Sequence, residues 1–302
     1  MSSQFQKIRN QVMWDRLISV VEEQARTLMR VAFSTVVREA GDLSAGVFNT
    51  KGDLLAQAVT GTPGHINSMA RSIREFLKVF PAETMKPGDV YMTNDPWRGT
   101  GHLFDFTVVT PTFHKGKLVA IFACTAHVAD IGGNGPDPHS RDVFAEGLFL
   151  PIMPLVMQGE INQWLMKLLC ANSREPEKLE GDVYALIASN EAGGKQLSSM
   201  MEEYRLATLD DLSDHILTSS DKSMREAIQH LPKGTWSHKV TIDGFADPVE
   251  IAATLKIDGE KIYIDFSGTS SVSKYGINCP ICYTDAYTSF GIKCLVAPRL
   301  AN

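Results

Sequence analysis

The feature that most constrains the fold is a pair of strand-length apolar runs joined by a short polar turn. Val108-Val109-Thr110-Pro111-Thr112-Phe113 and Leu118-Val119-Ala120-Ile121-Phe122-Ala123-Cys124 are β-branched or apolar throughout, and His114-Lys115-Gly116-Lys117 between them supplies the glycine of a tight turn. A hairpin here brings its two open ends side by side. One end carries His102 and Asp105, the other His127 and Asp130. A three-residue loop, Lys115 to Lys117, pairs His114 with Leu118 and sets Asp105 opposite His127 on a shared face. A two-residue loop shifts the register by one and breaks that match. In a regular strand His102, three residues before Asp105, points to the other face. Gly99-Thr100-Gly101 lets the chain bend and bring it back.

Two imidazoles and a carboxylate at the end of a hairpin can form a 2-His-1-carboxylate metal site with coordination positions left open for water or substrate. A single histidine in a strand is more often a hydrogen-bonded surface or core residue than a ligand. The combination of His102, Asp105 and His127 beside two glycine-rich turns shifts that balance. Glu39, Asp42, His65, Asn94 and Asp95 also stand at element ends near glycines, where they serve either as site residues or as caps and turns.

The chain of 302 residues can hold two or three modest domains. A charged content of 21% and a hydrophobic content of 44% are those of a globular protein. The net charge of −6, with no basic run, argues against nucleic acid as a partner. No stretch approaches the ~20 apolar residues of a membrane span, and the first residues lack the regions of a signal peptide. Together with scattered, odd-numbered cysteines, this gives cytoplasmic residence as the expectation. Cys279-Pro280-Ile281-Cys282 has no second pair to complete a zinc site and is read as reduced, packed thiols.

Helical periodicity predicts one long helix from Gln6 to about Val37, with Val12, Leu17, Val20, Val21, Leu28, Val31 and Ala32 on one side. A hairpin of Leu43–Phe48 with Leu54–Val59 follows, then a turn at Gly61–His65, a helix over 67–80 and a strand at Val90-Tyr91-Met92. Residues 132–147 read as an irregular loop, a surface connector or a lid over the site. From 161 to 230 the chain reads as helical, with Pro176 in the first turn of one helix and Thr208 as the N-cap of another. Strands are expected at 236–242, 249–257 and 261–266, with a further helix from Ile281 to Val296. The fold class expected is α+β, mixed helices and antiparallel hairpins in several domains. These are residues 1–158 with the candidate metal site, a helical segment 159–232 and a β-rich part 233–302 whose end is abrupt, as in a fragment of something longer. No P-loop and no nucleophile-elbow sequence is present, so any ATP site is expected on another chain.

In their order along the chain, several segments resemble the hydantoinase B/oxoprolinase family, which includes the B-type components of ATP-dependent N-methylhydantoinases and the α subunits of acetone carboxylases. They are Arg38-Glu39-Ala40-Gly41-Asp42-Leu43-Ser44, Gly61-Thr62-Pro63-Gly64-His65, Lys86-Pro87-Gly88-Asp89, Asn94-Asp95-Pro96, Gly101-His102-Leu103-Phe104-Asp105, His127-Val128-Ala129-Asp130-Ile131-Gly132-Gly133, Glu146-Gly147-Leu148 and Ala171-Asn172-Ser173-Arg174-Glu175-Pro176-Glu177 with Gly181-Asp182. The resemblance covers essentially the whole chain and implies that His102, Asp105 and His127 hold a divalent metal (Mn, Zn or Fe). It further implies that Asp130 orients His127 and that His65 or Arg98 helps hold an anionic substrate; the catalytic expectation rests on Asp130 and His65. It implies a hydantoinase A-type ATPase subunit as partner, which uses ATP to activate the carbonyl of a small cyclic amide, opened at the metal centre of this subunit. The residues around the His-x-x-Asp pair look more like the hydantoinase side. A ketone carboxylase subunit of the acetone carboxylase type is the runner-up, and a non-catalytic interaction subunit is the reading from another class.

Overall fold

The computed structural model describes residues 3–245 and 247–300. Helix α1 (Ser3–Val31) leads into a single turn, α2 (Thr35–Arg38). The helix expected to run unbroken to Val37 stops at Val31 because Asp182 Oδ1 accepts hydrogen bonds from the backbone N–H groups of Phe33 (2.8 Å) and Ser34 (3.0 Å). A distant carboxylate thus outcompetes helical hydrogen bonding at that point.

Strands β1 (Leu43–Phe48) and β2 (Leu54–Gln57) form the first hairpin, and α3 (Pro63–Val79) starts four residues before the periodicity predicts, with proline in its first turn. Then follow β3 (Val90–Thr93), the central hairpin β4 (Asp105–His114) and β5 (Lys117–His127), and the small pair β6 (Met153–Met157) and β7 (Glu160–Ile161), which the sequence did not reveal. Helices α4 (Gln163–Ala171), α5 (Pro176–Glu203) and α6 (Asp210–Gln229) come next, the last capped at Leu209 rather than at Thr208. A second sheet of β8 (Gly234–Ile242), β9 (Val249–Asp258) and β10 (Lys261–Asp265), and then α7 (Ile281–Val296), complete the described chain. The fold is α+β, and every strand pairing is antiparallel.

The main sheet has the order β2-β1-β5-β4-β3-β6-β7. Its central strands are buried on both faces, so they read as continuous apolar runs. Phe106, Val108, Phe122, Cys124 and Ala126 pack with Leu17, Val20, Leu28, Val183 and Leu186 of α1 and α5. Val109, Ile121 and Ala123 pack with Ile66, Met69, Ile73 and Phe76 of α3. Alternation along the strands puts Asp105 and His127 on the α3 side. The first face also has a polar bridge: Gln24 Nε2 donates to Asn190 Oδ1 (2.7 Å) and to the Ala123 carbonyl (3.1 Å), and Asn190 Nδ2 donates to the Val108 carbonyl (3.0 Å). Gly193 lies against β5 so closely that a Cβ there would sit 2.6 Å from the Phe122 ring.

The turn of the central hairpin departs from expectation in an informative way. It has two residues, Lys115 (φ 50°) and Gly116 (φ 79°), with His114 paired to Lys117. Alone, this would have misaligned the far end. The register shifts between Thr112 and Phe113, where Phe113 pairs with Leu118 but Thr112 with Ala120, so Val119 is the extra residue of a bulge. The bulge restores the lost step, and Asp105 pairs with His127.

Candidate metal centre

Four segments converge at the end of β4 and β5 on the α3 side. Asp105 opens β4, His127 closes β5, and the His127 N–H donates to the carbonyl of Asp42, the residue before β1 (3.1 Å). Thr62, at the N-cap of α3, makes no capping bond with its side chain; its hydroxyl donates instead to Asp42 Oδ1 (2.7 Å). The first turn of α3 then carries His65 inward, where it is almost completely buried. His102 arrives on the turn before β4, bent at Gly101 (φ 109°) as the glycines allow. This loop is pinned from below: Leu103 N–H donates to Glu146 Oε1 (2.7 Å), and Asn94 Nδ2 donates to the carbonyls of Leu103 and Leu148 (2.8 Å each). Asn94, considered above as a site residue, is therefore a strut of the loop; Asp95 holds the backbone of Trp97 and Arg98 in a turn.

The centre of the cluster is Asp105, which has no solvent exposure. Its Oδ2 lies 3.0 Å from His65 Nε2 and 3.1 Å from His102 Nε2, and its Oδ1 lies 3.4 Å from His127 Nδ1. Asp42 stands behind, 3.7 Å from His65 Nε2 and 3.8 Å from His127 Nδ1. Despite these approaches, neither Asp105 oxygen has a hydrogen bond of acceptable geometry among the described residues. A fully buried carboxylate left so is costly unless a cation balances it. One ligand atom each from His102, Asp105 and His127 can be chosen so that all three lie within 4.8 Å of one another. The donor chemistry fits a divalent metal, and mixed nitrogen and oxygen donors suit Mn, Zn and Fe alike.

The electrostatics agree with the geometry. Burial works against an ionised Asp105, but His65, followed by His102 and His127, outweighs it and holds the carboxyl well below the usual range. Burial works against a charged His102 as well, yet Asp105 and then Glu146 raise its pKa. Beside His102 a cavity of about 560 Å³ opens, lined by Trp97, Glu146, Arg141 and Tyr275 among others.

Of the residues singled out in the sequence, His65, His102, Asp105, His127 and Asp42 come together. Asp130 does not join them. Its carboxylate accepts hydrogen bonds from Ser173 Oγ (3.2 Å), Arg174 Nε (2.8 Å) and the Arg174 backbone N–H, and the hydrogen bonds described for it include none to His127. Burial raises the Asp130 pKa, but the hydrogen bonds from the side chain and backbone of Arg174, and then from Gly132 and Ser173, lower it further than burial raises it. Asp130 thus fastens the segment after His127 to the α4–α5 junction. Arg98 is half exposed and 3.7 Å from Asp95, and Glu39 is on the surface beside Arg38. The sequence reading missed two neighbours of the site, Tyr283 and Tyr287 of α7, because no local pattern connects them to Gly101 and Gly64, far earlier in the chain. Among the described residues, no helix is long and apolar enough to cross a membrane.

Comparison with known proteins identifies the family and the fold. The sequence profile of the family described as hydantoinase B/oxoprolinase matches residues 6–302. A candidate B-type component of a D-/L-hydantoinase from Pseudomonas sp. (strain NS671) is 31% identical over 286 residues, which are 90% of this chain and 48% of that protein. The crystal structure of the ATP-dependent caprolactamase from Pseudomonas jessenii superposes with a TM-score of 0.86 at 24% identity, over 95% of this chain and 50% of that one. A nucleotide-free acetone carboxylase superposes with a TM-score of 0.85 at 18% identity, over 97% of this chain and 41% of that one; both likenesses concern the fold. The chain spans about half the length of these proteins or less.

Proposed function

The chain belongs to the hydantoinase B/oxoprolinase family, and from that premise we propose that it is a subunit of an ATP-dependent cyclic amide hydrolase. In this reading His102, Asp105 and His127 hold a divalent metal. A hydantoinase A-type ATPase partner uses ATP to activate the substrate carbonyl. The observation that carries the proposal is the buried Asp105 carboxylate, ringed by His65, His102 and His127 and without a hydrogen bond among the described residues. When bound, the metal would polarise a carbonyl and lower the pKa of water at the site.

The chain's own residues supply the rest. His102 borders both the metal donors and the 560 Å³ cavity, so a ligand in that cavity lies next to the reacting position. His65 sets its Nε2 3.0 Å from Asp105 Oδ2, so the buried imidazole holds the carboxylate in place beside the metal donors. Asp130 acts through the backbone, as an anchor for the segment after His127. The five cysteines are free, in keeping with the cytoplasm as the proposed location.

The test is to co-express the full-length protein with its ATPase partner and assay ATP-dependent ring opening of hydantoin, 5-oxoproline and caprolactam. Bicarbonate-dependent carboxylation of acetone is assayed in parallel, since the fold likeness to acetone carboxylase favours that as the second reading. Ring opening that disappears in an intact complex carrying His127→Ala supports the hydrolase. Carboxylation without ring opening replaces it with the carboxylase. Product formed undiminished by the His127→Ala complex would leave this chain as an interaction subunit.

A further inference from the structure

The roof over the cluster is α7, and the details of its docking are not those of a generic helix contact. Two glycines directly precede two of the site histidines: Gly64 before His65 and Gly101 before His102. Each has a tyrosine of α7 against it. A Cβ on Gly64 would lie 2.3 Å from the Tyr287 ring, and one on Gly101 would lie 2.9 Å from the Tyr283 ring. Only glycine leaves room for the two rings at these positions. Tyr283 and Tyr287 are four residues apart, so they stand on one helix face, with ring centroids 4.8 Å apart. Their hydroxyls are 3.3 Å apart. Around them α7 is tied down: Asp285 pairs with Arg71, Ser289 Oγ accepts from Asn67 Nδ2 (2.8 Å), and the Cys282 thiol donates to the Pro96 carbonyl (3.0 Å).

Two phenols share one hydrogen bond, so of two hydroxyl protons one is used and one is left over. The proton left over is that of Tyr287, which is 43% exposed and has no protein acceptor among the described residues. Tyr283 stays a neutral donor: burial, then Tyr287 and the charges of Asp105 and Asp42, push its pKa up. A pair of hydroxyl donors beside a cluster whose residues could hold a divalent metal is suited to an oxygen that gains negative charge.

We propose that Tyr283 and Tyr287 act as one hydrogen-bond donor unit for an anionic oxygen of the ligand held at the His102–Asp105–His127 cluster, which for a cyclic amide is the carbonyl-derived oxygen. The proposal rests on the metal reading above and assigns the specificity of the roof to α7. Acetohydroxamate, a small oxygen chelator, is the probe, and the protein loaded with cobalt(II) reports its binding through the visible spectrum. Wild type, Tyr283→Phe, Tyr287→Phe and the double variant are compared. Phenylalanine keeps the rings that fill the glycine spaces, so cobalt content and melting temperature should not change. Each single variant should bind acetohydroxamate about 10-fold more weakly, the worth of one hydrogen bond to a charged group. The double variant should lose little beyond that, because either substitution breaks the same unit. Undiminished affinity in both single variants overturns the proposal, and so do losses that multiply as for independent sites. A wild-type protein that takes up no cobalt overturns the metal reading itself, and that failure is visible before any acetohydroxamate is added.

Discussion

At the scale of single residues, the chemistry depends on what surrounds each buried carboxylate. Asp105 is the extreme case, buried amid imidazoles and without a hydrogen bond among the described residues. Asp130 is the opposite case, a carboxylate fully engaged by Ser173 and Arg174. The two predict different behaviour. Asp130→Asn should leave metal content unchanged and lower stability by about 1–3 kcal/mol at neutral pH, the worth of hydrogen bonds to a charged group. Because the native Asp130 pKa lies below its ordinary 3.8, its contribution is present above that value and is lost as the pH falls below it. The gap between the urea midpoints of wild type and variant should therefore be full at neutral pH and narrow as the pH falls through 3.8 and below. A gap that persists or widens on acidification would contradict the assignment.

At the scale of elements, the site is a product of register. The two-residue turn and the bulge at Val119 are each a departure from the simplest hairpin, and together they return Asp105 to His127. Gly116 is at φ 79° with open space around the missing Cβ, so Gly116→Ala carries only the conformational cost of about 1–2 kcal/mol. A urea midpoint lowered to that extent with metal content intact is the expected result. At Gly193 the balance differs: alanine gains about 1 kcal/mol of helix propensity, but its methyl group meets the fully buried Phe122 ring at 2.6 Å. Overpacking of about 1–3 kcal/mol wins, and Gly193→Ala should melt at a lower temperature than wild type. What the sequence made legible follows the same division. The hairpin, the face shared by Asp105 and His127, and the bend before His102 could be read from local runs and glycines. The break after Val31, the engagement of Asp130 and the roof formed by Tyr283 and Tyr287 could not, because each depends on a partner far along the chain: Asp182, Arg174 and the two glycines at 64 and 101.

At the scale of the whole molecule, α4, α5 and α6 share the core of α1 and the main sheet, with Leu169, Val183, Leu186, Leu212 and Ile216 in one cluster with Leu17 and Phe122. The division at 159 and 233 is a proposal about folding units, and the shared core predicts an order for it. Limited proteolysis should cut near residue 232 and leave the first two parts together; early separation at 158 would contradict this. A metal bound to the folded state alone adds stability by mass action, about 2.7 kcal/mol at a free concentration one hundred times Kd. Manganese or zinc should raise the melting temperature of wild type and not of His102→Ala. The most decisive experiment is the metal content of the purified full-length protein by mass spectrometry, wild type beside His127→Ala. About one divalent metal per folded chain is expected, lost in the variant, as a site with three protein ligands requires. A folded wild-type protein without metal, or a variant that retains it, would contradict the assignment of His102, Asp105 and His127 as its ligands.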